Sequence, residues 1–280
     1  MINKNFTKEE RLKLVVDLYV NQHKSINEIR QELHIGWKTA KEDLLKAGVE
    51  IITKRNKIIP NSTVREGLFE KIETEEDAYW LGFMYADGTV GGTRNEIKFE
   101  LQDRDRTSVE AFHKYCGNKN KIYHHVLKRN GKEYISNCSA FTNSIVKENL
   151  IKLGCSPNKS LILKCPTEEQ VPQNLIHHFT RGYIDGDGSL NRNLKTNKIS
   201  SIVILGTPDF LLGLAKRMEW NQYSIRQEKN KNVFDLIVQG GQKEVLKQLD
   251  RLYENCTCFL ERKREIYLKF KEVMGTQNNE

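Results

Sequence analysis

The sequence predicts an α+β fold in which one unit occurs twice, preceded by a small all-helical domain. Three observations lead to this prediction. Apolar residues in the first 49 positions recur at helical spacing. From position 73 onward, one order of predicted elements (helix, two strands, helix, two strands, helix) occurs twice. Asp87 and Asp187 occupy matching places in the two copies, 100 residues apart.

Composition and charge indicate the class of protein. The 280 residues include 45 Lys and Arg against 37 Asp and Glu, which gives a net charge of +8. A basic chain attracts polyanions, and nucleic acid is the commonest of these in the cytosol. The apolar runs are too short for a membrane span, and the six cysteines lack the spacing of a zinc site or a disulfide framework. We expect a cytoplasmic protein that does not contact membranes, associated with the nucleoid if it is bacterial or from a phage.

Residues 1–50 are predicted to form a helix-turn-helix domain. Thr7 and Ser25 are N-cap signals for its first two helices, and a tight turn at 34–36 precedes the third. In such a domain the last helix enters the major groove. A three-helix bundle that contacts another protein remains the alternative. The third helix is expected to turn Trp37, Ala40, Leu44 and Leu45 inward and to contact DNA through Trp37, Lys38, Thr39 and Lys41.

Residues 51–70 are interpreted as a linker. They hold a basic cluster of Lys54, Arg55 and Lys57, and Pro60 prevents a helix from continuing. The cluster could follow a phosphate backbone. A merely solvated connection is the alternative.

The duplicated part is divided into a first repeat (71–168) and a second repeat (169–274), followed by a tail (275–280). After the leading helix of each repeat, alternating apolar residues predict strands and amphipathic runs predict helices. The predicted helices are 107–115 and 143–153 in the first repeat and 208–218 and 242–253 in the second. The predicted hairpin strands are 121–127 and 133–139, then 223–228 and 232–239.

The leading helix of each repeat is predicted to be buried against its counterpart. Small residues lie four positions apart in both, Gly82 with Ala86 and Gly182 with Gly186. At helical spacing they form one flat stripe, along which two backbones can approach closely. Gly88 and Gly188 are expected to end these helices in the left-handed conformation.

This packing would place Asp87 and Asp187 side by side at two negative helix ends. The carboxylates would repel each other unless a cation lies between them. Oxygen ligands suit Mg²⁺, with Mn²⁺ as a substitute. For a lone Asp-Gly pair a turn or cap role would be favoured, but the duplication favours a metal site. The expected metal-binding residues are Asp87, Asp187, Gly88 and Gly188.

The segments WLGFMYADG (80–88) and TRGYIDGDG (180–188) resemble the two signature helices of the LAGLIDADG family of homing endonucleases. The resemblance covers about residues 69–270 and implies two pseudo-symmetric units that form a saddle on a DNA duplex. It implies a monomer that cuts both strands of a long, weakly symmetric target and leaves 3′ overhangs. Tyr85 replaces the first Asp of the family motif, whereas Asp185 retains it. That position caps or packs in the family and is not the usual metal ligand.

The resemblance also implies one catalytic basic residue per repeat, near the scissile phosphate. Lys159 in GCSPNKSLILKCP and Lys263 in FLERKREIY are the candidates. Arg262 or Arg264 could take the second role instead. Such a cation would stabilise the phosphate in the transition state or polarise the attacking water.

Polar residues that alternate along the predicted strands are candidates for base contacts in a groove. An ordinary solvated sheet face is the alternative. The candidates are Lys98, Glu100, Gln102, Lys121, Tyr123 and His125 in the first repeat, and Asn191, Arg192, Asn193, Lys195, Ser224 and Arg226 in the second.

Together these features predict a metal-dependent, site-specific DNA endonuclease. A transcription regulator that binds DNA without cutting is one alternative, although it would be expected to lack the acidic pair. An RNA maturase that assists intron splicing is the other. The chain begins with Met and has no Cys or Ser there, so a free-standing or intron-encoded enzyme is expected rather than an excised intein.

Overall fold

The computed structural model describes residues 6–22, 24–49, 63–129, 132–227 and 233–276. The chain separates into two compact units, an N-terminal unit of residues 1–60 and a C-terminal unit of residues 61–280. Lys54, Arg55 and Lys57, the predicted backbone contacts of the linker, lie outside the described residues. Among the described helices, none has the length and apolar character needed to cross a membrane.

The N-terminal unit contains three helices, α1 (Lys8–Val20), α2 (Ile26–Leu33) and α3 (Trp37–Lys46). The predicted N-caps are confirmed, since Thr7 and Ser25 each form a capping box. His34 ends α2 in the left-handed conformation, with φ 52°. The core is small and consists of Val15, Leu18, Ile29 and Leu44.

Two inward predictions for α3 are wrong. Trp37 is 47% exposed and Leu45 is 57% exposed. Trp37 is the first residue of α3 and lies beyond the edge of the small core, with the Lys41 ammonium 5.2 Å from its ring centre. Leu45 points about 100° around the helix axis from the buried Leu44. The buried face of α3 instead includes Asp43, which pairs with Arg11 at 2.7 Å.

The C-terminal unit contains the predicted order of elements twice, followed by one further helix. Short 3₁₀ turns occur at Asp103–Asp105, Lys159–Leu161 and Gln173–Leu175. The first copy comprises α4 (Glu75–Ala86), β1 (Gly88–Val90), β2 (Glu96–Gln102), α5 (Arg106–Tyr115), β3 (Tyr123–Arg129), β4 (Lys132–Thr142) and α6 (Ser144–Lys152). The second comprises α7 (Ile176–Asp187), β5 (Gly188–Arg192), β6 (Ile199–Gly206), α8 (Pro208–Arg217), β7 (Tyr223–Gln227), β8 (Phe234–Val238) and α9 (Gln242–Tyr253), and α10 (Glu261–Thr276) follows.

Each copy forms a four-stranded antiparallel sheet with the same strand arrangement. The orders are β1-β2-β4-β3 and β5-β6-β8-β7. Because side chains alternate along a strand, one face of each sheet packs against the core and the other is open. Ile97 and Phe99 are fully buried on the core face of the first sheet, as are Ile202 and Ile204 in the second.

The leading helices α4 and α7 approach each other at backbone distance. A Cβ atom added to Gly82 would lie 2.0 Å from the Phe179 carbonyl oxygen, and one added to Gly182 would lie 2.0 Å from the Tyr79 carbonyl oxygen. A Cβ added to Gly186 would lie 2.3 Å from the Cβ of Ala86. These contacts confirm the predicted small-residue stripe.

The prediction that Gly88 and Gly188 are left-handed is wrong. Gly188 has φ −104° and ψ 162°, and Gly88 is the first residue of β1. The chain passes directly from each helix into a strand, which requires extended backbone here. The need for glycine is steric, because a Cβ would lie 2.6 Å from the carbonyl oxygen of Met84 or Ile184, respectively.

We predict that Gly82→Ala lowers the free energy of unfolding by about 3 kcal/mol or more, because the new methyl group collides with backbone on the facing helix. Urea denaturation would measure the change. Gly92→Ala is the matched control, since a Cβ there meets nothing within 4 Å, and its effect should stay within about 0.5 kcal/mol. Equal stability of the two variants would contradict the close contact.

Candidate functional site

Asp87 and Asp187 lie together at the ends of α4 and α7. Asp87 is the C-cap of α4, and Asp187 is the last residue of α7. A Cβ added to Gly186 would lie 3.0 Å from Oδ2 of Asp87, so this carboxylate contacts the last turn of the opposite helix. The side chain of Asp87 reaches solvent and Asp187 is half-buried. The stripe therefore brings the carboxylates of both repeats to one place that solvent can reach.

Burial makes both carboxylates harder to ionise, and the negative charge of Asp187 adds to this effect at Asp87. The pKa of Asp87 is raised to about 6, first by burial and then by the negative charge of Asp187. Burial also raises the pKa of Asp187. Lys159 and Lys263 oppose both increases. A site in which two carboxylates repel each other favours a bound cation.

The predicted basic residue of each repeat lies against its own helix end. Lys159 is 8% exposed, and its Nζ donates a hydrogen bond to the carbonyl of Gly88. Lys263 is 3% exposed, and its Nζ donates to the carbonyls of Asp185 at 2.9 Å, of Gly188 at 2.6 Å and of Ile184. Each ammonium thus binds the carbonyl of the glycine that follows Asp87 or Asp187 in its own repeat. A cation at the negative end of a helix is favourable.

Lys263 has all three of its ammonium donors occupied. An ammonium has three N–H groups, and three carbonyls accept them. Burial lowers the pKa of this lysine to about 8, with Arg262 acting in the same direction and the carboxylates of Asp185, Asp87 and Asp187 opposing it. In this arrangement Lys263 supplies positive charge beside the carboxylates without a donor left for a phosphate.

Arg262 and Arg264 make other contacts. The guanidinium of Arg262 donates to Asp105 at 3.0 Å, and that of Arg264 stacks over the Phe259 ring at 4.3 Å. Arg262 is nevertheless close enough to lower the pKa of Asp87. Of the three basic candidates in the second repeat, the structure places Lys263 at the helix end.

The donor set fits a hard divalent cation. In the described ranges, no group of three or more His, Cys, Asp and Glu side chains could hold a metal ion. Two carboxylates suit Mg²⁺, which keeps several waters and is usually held by one or two carboxylates together with substrate phosphate. The carbonyls of Gly88 and Gly188, two predicted metal-binding residues, accept hydrogen bonds from lysine ammonium groups. These ammonium charges disfavour a second cation at either carbonyl.

A buried polar network surrounds α7 and was not predicted. Asp185 is 1% exposed and accepts hydrogen bonds from Tyr79 Oη at 2.9 Å, Tyr253 Oη at 2.6 Å and the backbone N–H of Leu260 at 2.7 Å. Burial raises its pKa, opposed by Lys263 and by these bonds. Arg181 is fully buried and donates to Glu75 at 2.7 Å. Arg181 and Asp185, which flank the apolar pair Tyr183 and Ile184 in a helix predicted to be buried, are the signal that could have revealed this network.

The predicted DNA contacts of the first repeat lie mostly on the open face of its sheet. Lys98, Glu100 and Gln102 alternate along β2 with the buried residues. His125 Nδ1 is 3.0 Å from Oε1 of Glu100. Tyr123, which is 50% exposed, pairs with Cys138 at the sheet edge, whereas Lys121 precedes β3.

In the second repeat the candidates divide between strand and turn. Ser224 and Arg226 are exposed on β7, and Arg226 pairs with Asp235 at 3.0 Å. Asn191 and Arg192 belong to β5. The Asn193 side chain accepts hydrogen bonds from the N–H groups of Lys195 and Thr196, so it stabilises the turn after β5.

The candidates of the N-terminal unit lie at the start of α3. Trp37 and Lys38 are exposed, and Thr39 and Lys41 are half-buried. This exposure leaves the first turn of the helix accessible to a partner.

No family model matches the sequence, and no curated protein matches it. Thirty-five chains of solved structures match the fold. The homing endonuclease I-WcaI bound to its DNA recognition sequence matches with a TM-score of 0.48 at 15% identity, over 72% of this chain and 92% of that one. The I-LtrWI LAGLIDADG homing endonuclease bound to target DNA matches with a TM-score of 0.47 at 12% identity, over 74% of this chain and 92% of that one. The N-terminal LAGLIDADG domain of DUF199/WhiA matches with a TM-score of 0.42 at 18% identity, over 73% of this chain and 98% of that one. These likenesses are remote, so the function is inferred from the side chains of the site.

We predict that Asp87→Asn stabilises the metal-free protein above pH 6 and not near pH 4. The pKa of Asp87 is about 6 in the folded chain against an ordinary 3.8, so ionisation destabilises the fold as the pH rises through this range. The full shift would correspond to about 3 kcal/mol, and solvent access to the side chain reduces the expected gain to about 1 kcal/mol.

Urea denaturation in the presence of a chelator, at about pH 4 and about pH 8, would measure the gain. Asp209→Asn is the control, because Asp209 is an exposed carboxylate on α8. A gain at pH 8 no larger than that of the control would contradict the raised pKa of Asp87.

Proposed function

We propose that the chain is a site-specific double-strand DNA endonuclease of the LAGLIDADG type. The pairing of Asp87 and Asp187 at the ends of α4 and α7, each beside its own buried lysine, carries the proposal. Two neighbouring carboxylates that have raised pKa values and reach solvent are suited to hold divalent cations next to a phosphodiester. Mg²⁺ is the proposed ion, with Mn²⁺ as a substitute.

A bound divalent ion would supply an activated water and neutralise charge on the leaving oxygen. Asp87 and Asp187 hold the ions, and Lys159 and Lys263 offset the negative charge of the carboxylates and helix ends. Without this positive charge, two carboxylates and two helix dipoles would repel an approaching phosphate. The lysines therefore act on the electrostatic potential of the site.

The open faces of the two sheets are proposed to bind the duplex. Their polar and cationic side chains are spaced at two-residue intervals, which allows contacts with base edges and phosphates along a groove. In this proposal the two repeats are pseudo-symmetric, form a saddle over the DNA, and act as a monomer on a long, weakly symmetric target. Each repeat supplies one acidic and one basic residue, so each cuts one strand.

The N-terminal unit is proposed to extend the DNA contact as a helix-turn-helix domain. The left-handed His34 makes the turn between α2 and α3, and the start of α3 presents Trp37 and Lys38 to solvent. In helix-turn-helix domains the first residues of the last helix contact base edges, and Lys or Ser/Thr groups of this helix hold phosphates.

We predict that Asp87→Asn and Asp187→Asn each reduce Mg²⁺-dependent cleavage by about a hundredfold or more while leaving DNA binding intact. The substrate is duplex DNA carrying the insertion site of the protein's own gene. Cleavage is followed by gel electrophoresis and binding by fluorescence anisotropy. Asp209→Asn, which changes an exposed carboxylate outside the site, should cut at the wild-type rate.

Other results would favour the alternatives. Tight binding of the wild-type protein to this DNA without cutting would favour a transcription regulator. Rescue of intron splicing without cutting would favour an RNA maturase.

We predict that Lys38→Ala and Lys41→Ala each weaken DNA binding and reduce the slope of log K against log salt by about 0.9, because each removes a phosphate contact. Lys13→Ala is the matched control, since Lys13 is exposed on α1 and is not among the predicted DNA contacts. Anisotropy titrations at several salt concentrations would give the slopes. A slope unchanged in both α3 variants would count against a DNA role for the N-terminal unit.

A further inference from the structure

The residue two positions before each paired Asp makes a specific contact with the segment that carries the lysine of the same repeat. In the first repeat, Tyr85 Oη donates a hydrogen bond to the carbonyl of Leu153, six residues before Lys159. In the second, the Asp185 carboxylate accepts the N–H of Leu260, three residues before Lys263. Tyr85 and Asp185 differ in chemistry, but each contacts the segment that leads from the end of α6 or α9 to the lysine of its own repeat.

In the second repeat this contact lies at the start of α10, which follows Leu260 directly. Oδ2 of Asp185 accepts the N–H of Leu260 at 2.7 Å, and the Leu260 carbonyl accepts the N–H of Lys263 at 2.9 Å. Tyr253, near the end of α9, donates to Oδ1 at 2.6 Å. One carboxylate therefore holds the end of α9 and the first turn of α10, and this turn contains Lys263.

The first repeat holds its lysine with fewer contacts. Tyr85 makes one hydrogen bond to the end of α6, and the chain then passes through Gly154 to the 3₁₀ turn that contains Lys159. Lys159 binds the carbonyl of Gly88, whereas Lys263 binds three carbonyls. The two lysines thus depend on separate anchors of unequal strength.

We propose that Tyr85 and Asp185 are positioning residues, each holding the lysine of its own repeat against the adjoining helix end and thereby setting the cutting rate of one DNA strand. The effect on the cutting of one DNA strand rests on the proposed function, whereas the anchoring of the lysines does not. Displacing a charged group by about 1 Å can cost about a hundredfold in rate. Loss of one anchor should therefore slow one strand selectively.

The first test measures lysine accessibility in the full-length, metal-free protein. The protein is treated with an amine-reactive acetylating reagent, and the modification rate of each lysine is followed by mass spectrometry. Asp185→Asn replaces an acceptor oxygen with an amide donor, so it should speed labelling of Lys263 by about tenfold and leave Lys159 unchanged. Tyr85→Phe should speed labelling of Lys159 and leave Lys263 unchanged. Equal changes at both lysines, or at neither, would overturn the proposal.

The second test follows each strand of the target duplex with its own end label in the presence of Mg²⁺. Asp185→Asn should slow one strand by about tenfold to a hundredfold, and Tyr85→Phe should slow the other. Nicked duplex should then accumulate with the two variants nicked on opposite strands. Equal slowing of both strands by either variant would indicate general destabilisation and overturn the proposal.

Two further variants make the result decisive. Tyr115→Phe removes a buried hydroxyl that donates to Asp77, in a different part of the first repeat, so it should show no strand preference. If Asp185→Asn does not fold, Tyr253→Phe keeps the carboxylate, removes one hydrogen bond to it and should slow the same strand less. A wild-type protein that cuts neither strand would refute the proposed function, and the labelling rates would still decide whether the anchors hold the lysines.

Discussion

The backbone contact between α4 and α7 determines the rest of the site. Gly82 and Gly182 allow the two helices to meet with no side chain between them, and Gly186 lets the last turn of α7 contact Asp87. The two carboxylates follow at fixed positions, at the negative ends of two helix dipoles. Apolar packing around the helices, with Phe83 and Ile184 fully buried, supplies the stability that holds like charges together.

This arrangement is an electrostatic compromise. Burying Asp87 and Asp187 and placing Asp87 beside a second negative charge costs free energy, and the raised pKa values express that cost. The positive charges of Lys159 and Lys263 offset part of this free-energy cost. Their ammonium groups bind backbone carbonyls, however, and leave the carboxylates open to solvent. The remaining negative charge can attract cations, while the positive charge of the lysines reduces the repulsion of a polyanion. The proposed binding of a metal ion and a phosphate at one site needs both properties.

The sequence predicted what depends on short-range pattern. The period of apolar residues gave the duplicated element order, and small residues four positions apart predicted the contact of α4 with α7. It failed where long-range packing decides. Helix α10 was missed because ERKREIYLKFKEVMGT is mostly polar, and its buried Tyr267 and Phe270 are covered only after folding. Trp37 was placed inward because periodicity does not indicate where a small core ends.

The buried network also distinguishes the two repeats from each other. Leu81 and Tyr85 in α4 correspond to Arg181 and Asp185 in α7, at matching positions of the motif. The polar partners of Arg181 and Asp185 include Glu75 and Tyr79 on α4. Two copies of α7 facing each other would lack these partners, since Leu175 and Phe179 occupy the corresponding places. Each buried polar group would then lose a hydrogen bond, which is costly in the interior. The network therefore favours the pairing of α4 with α7 over pairing of α7 with itself, a specificity that identical subunits could not have.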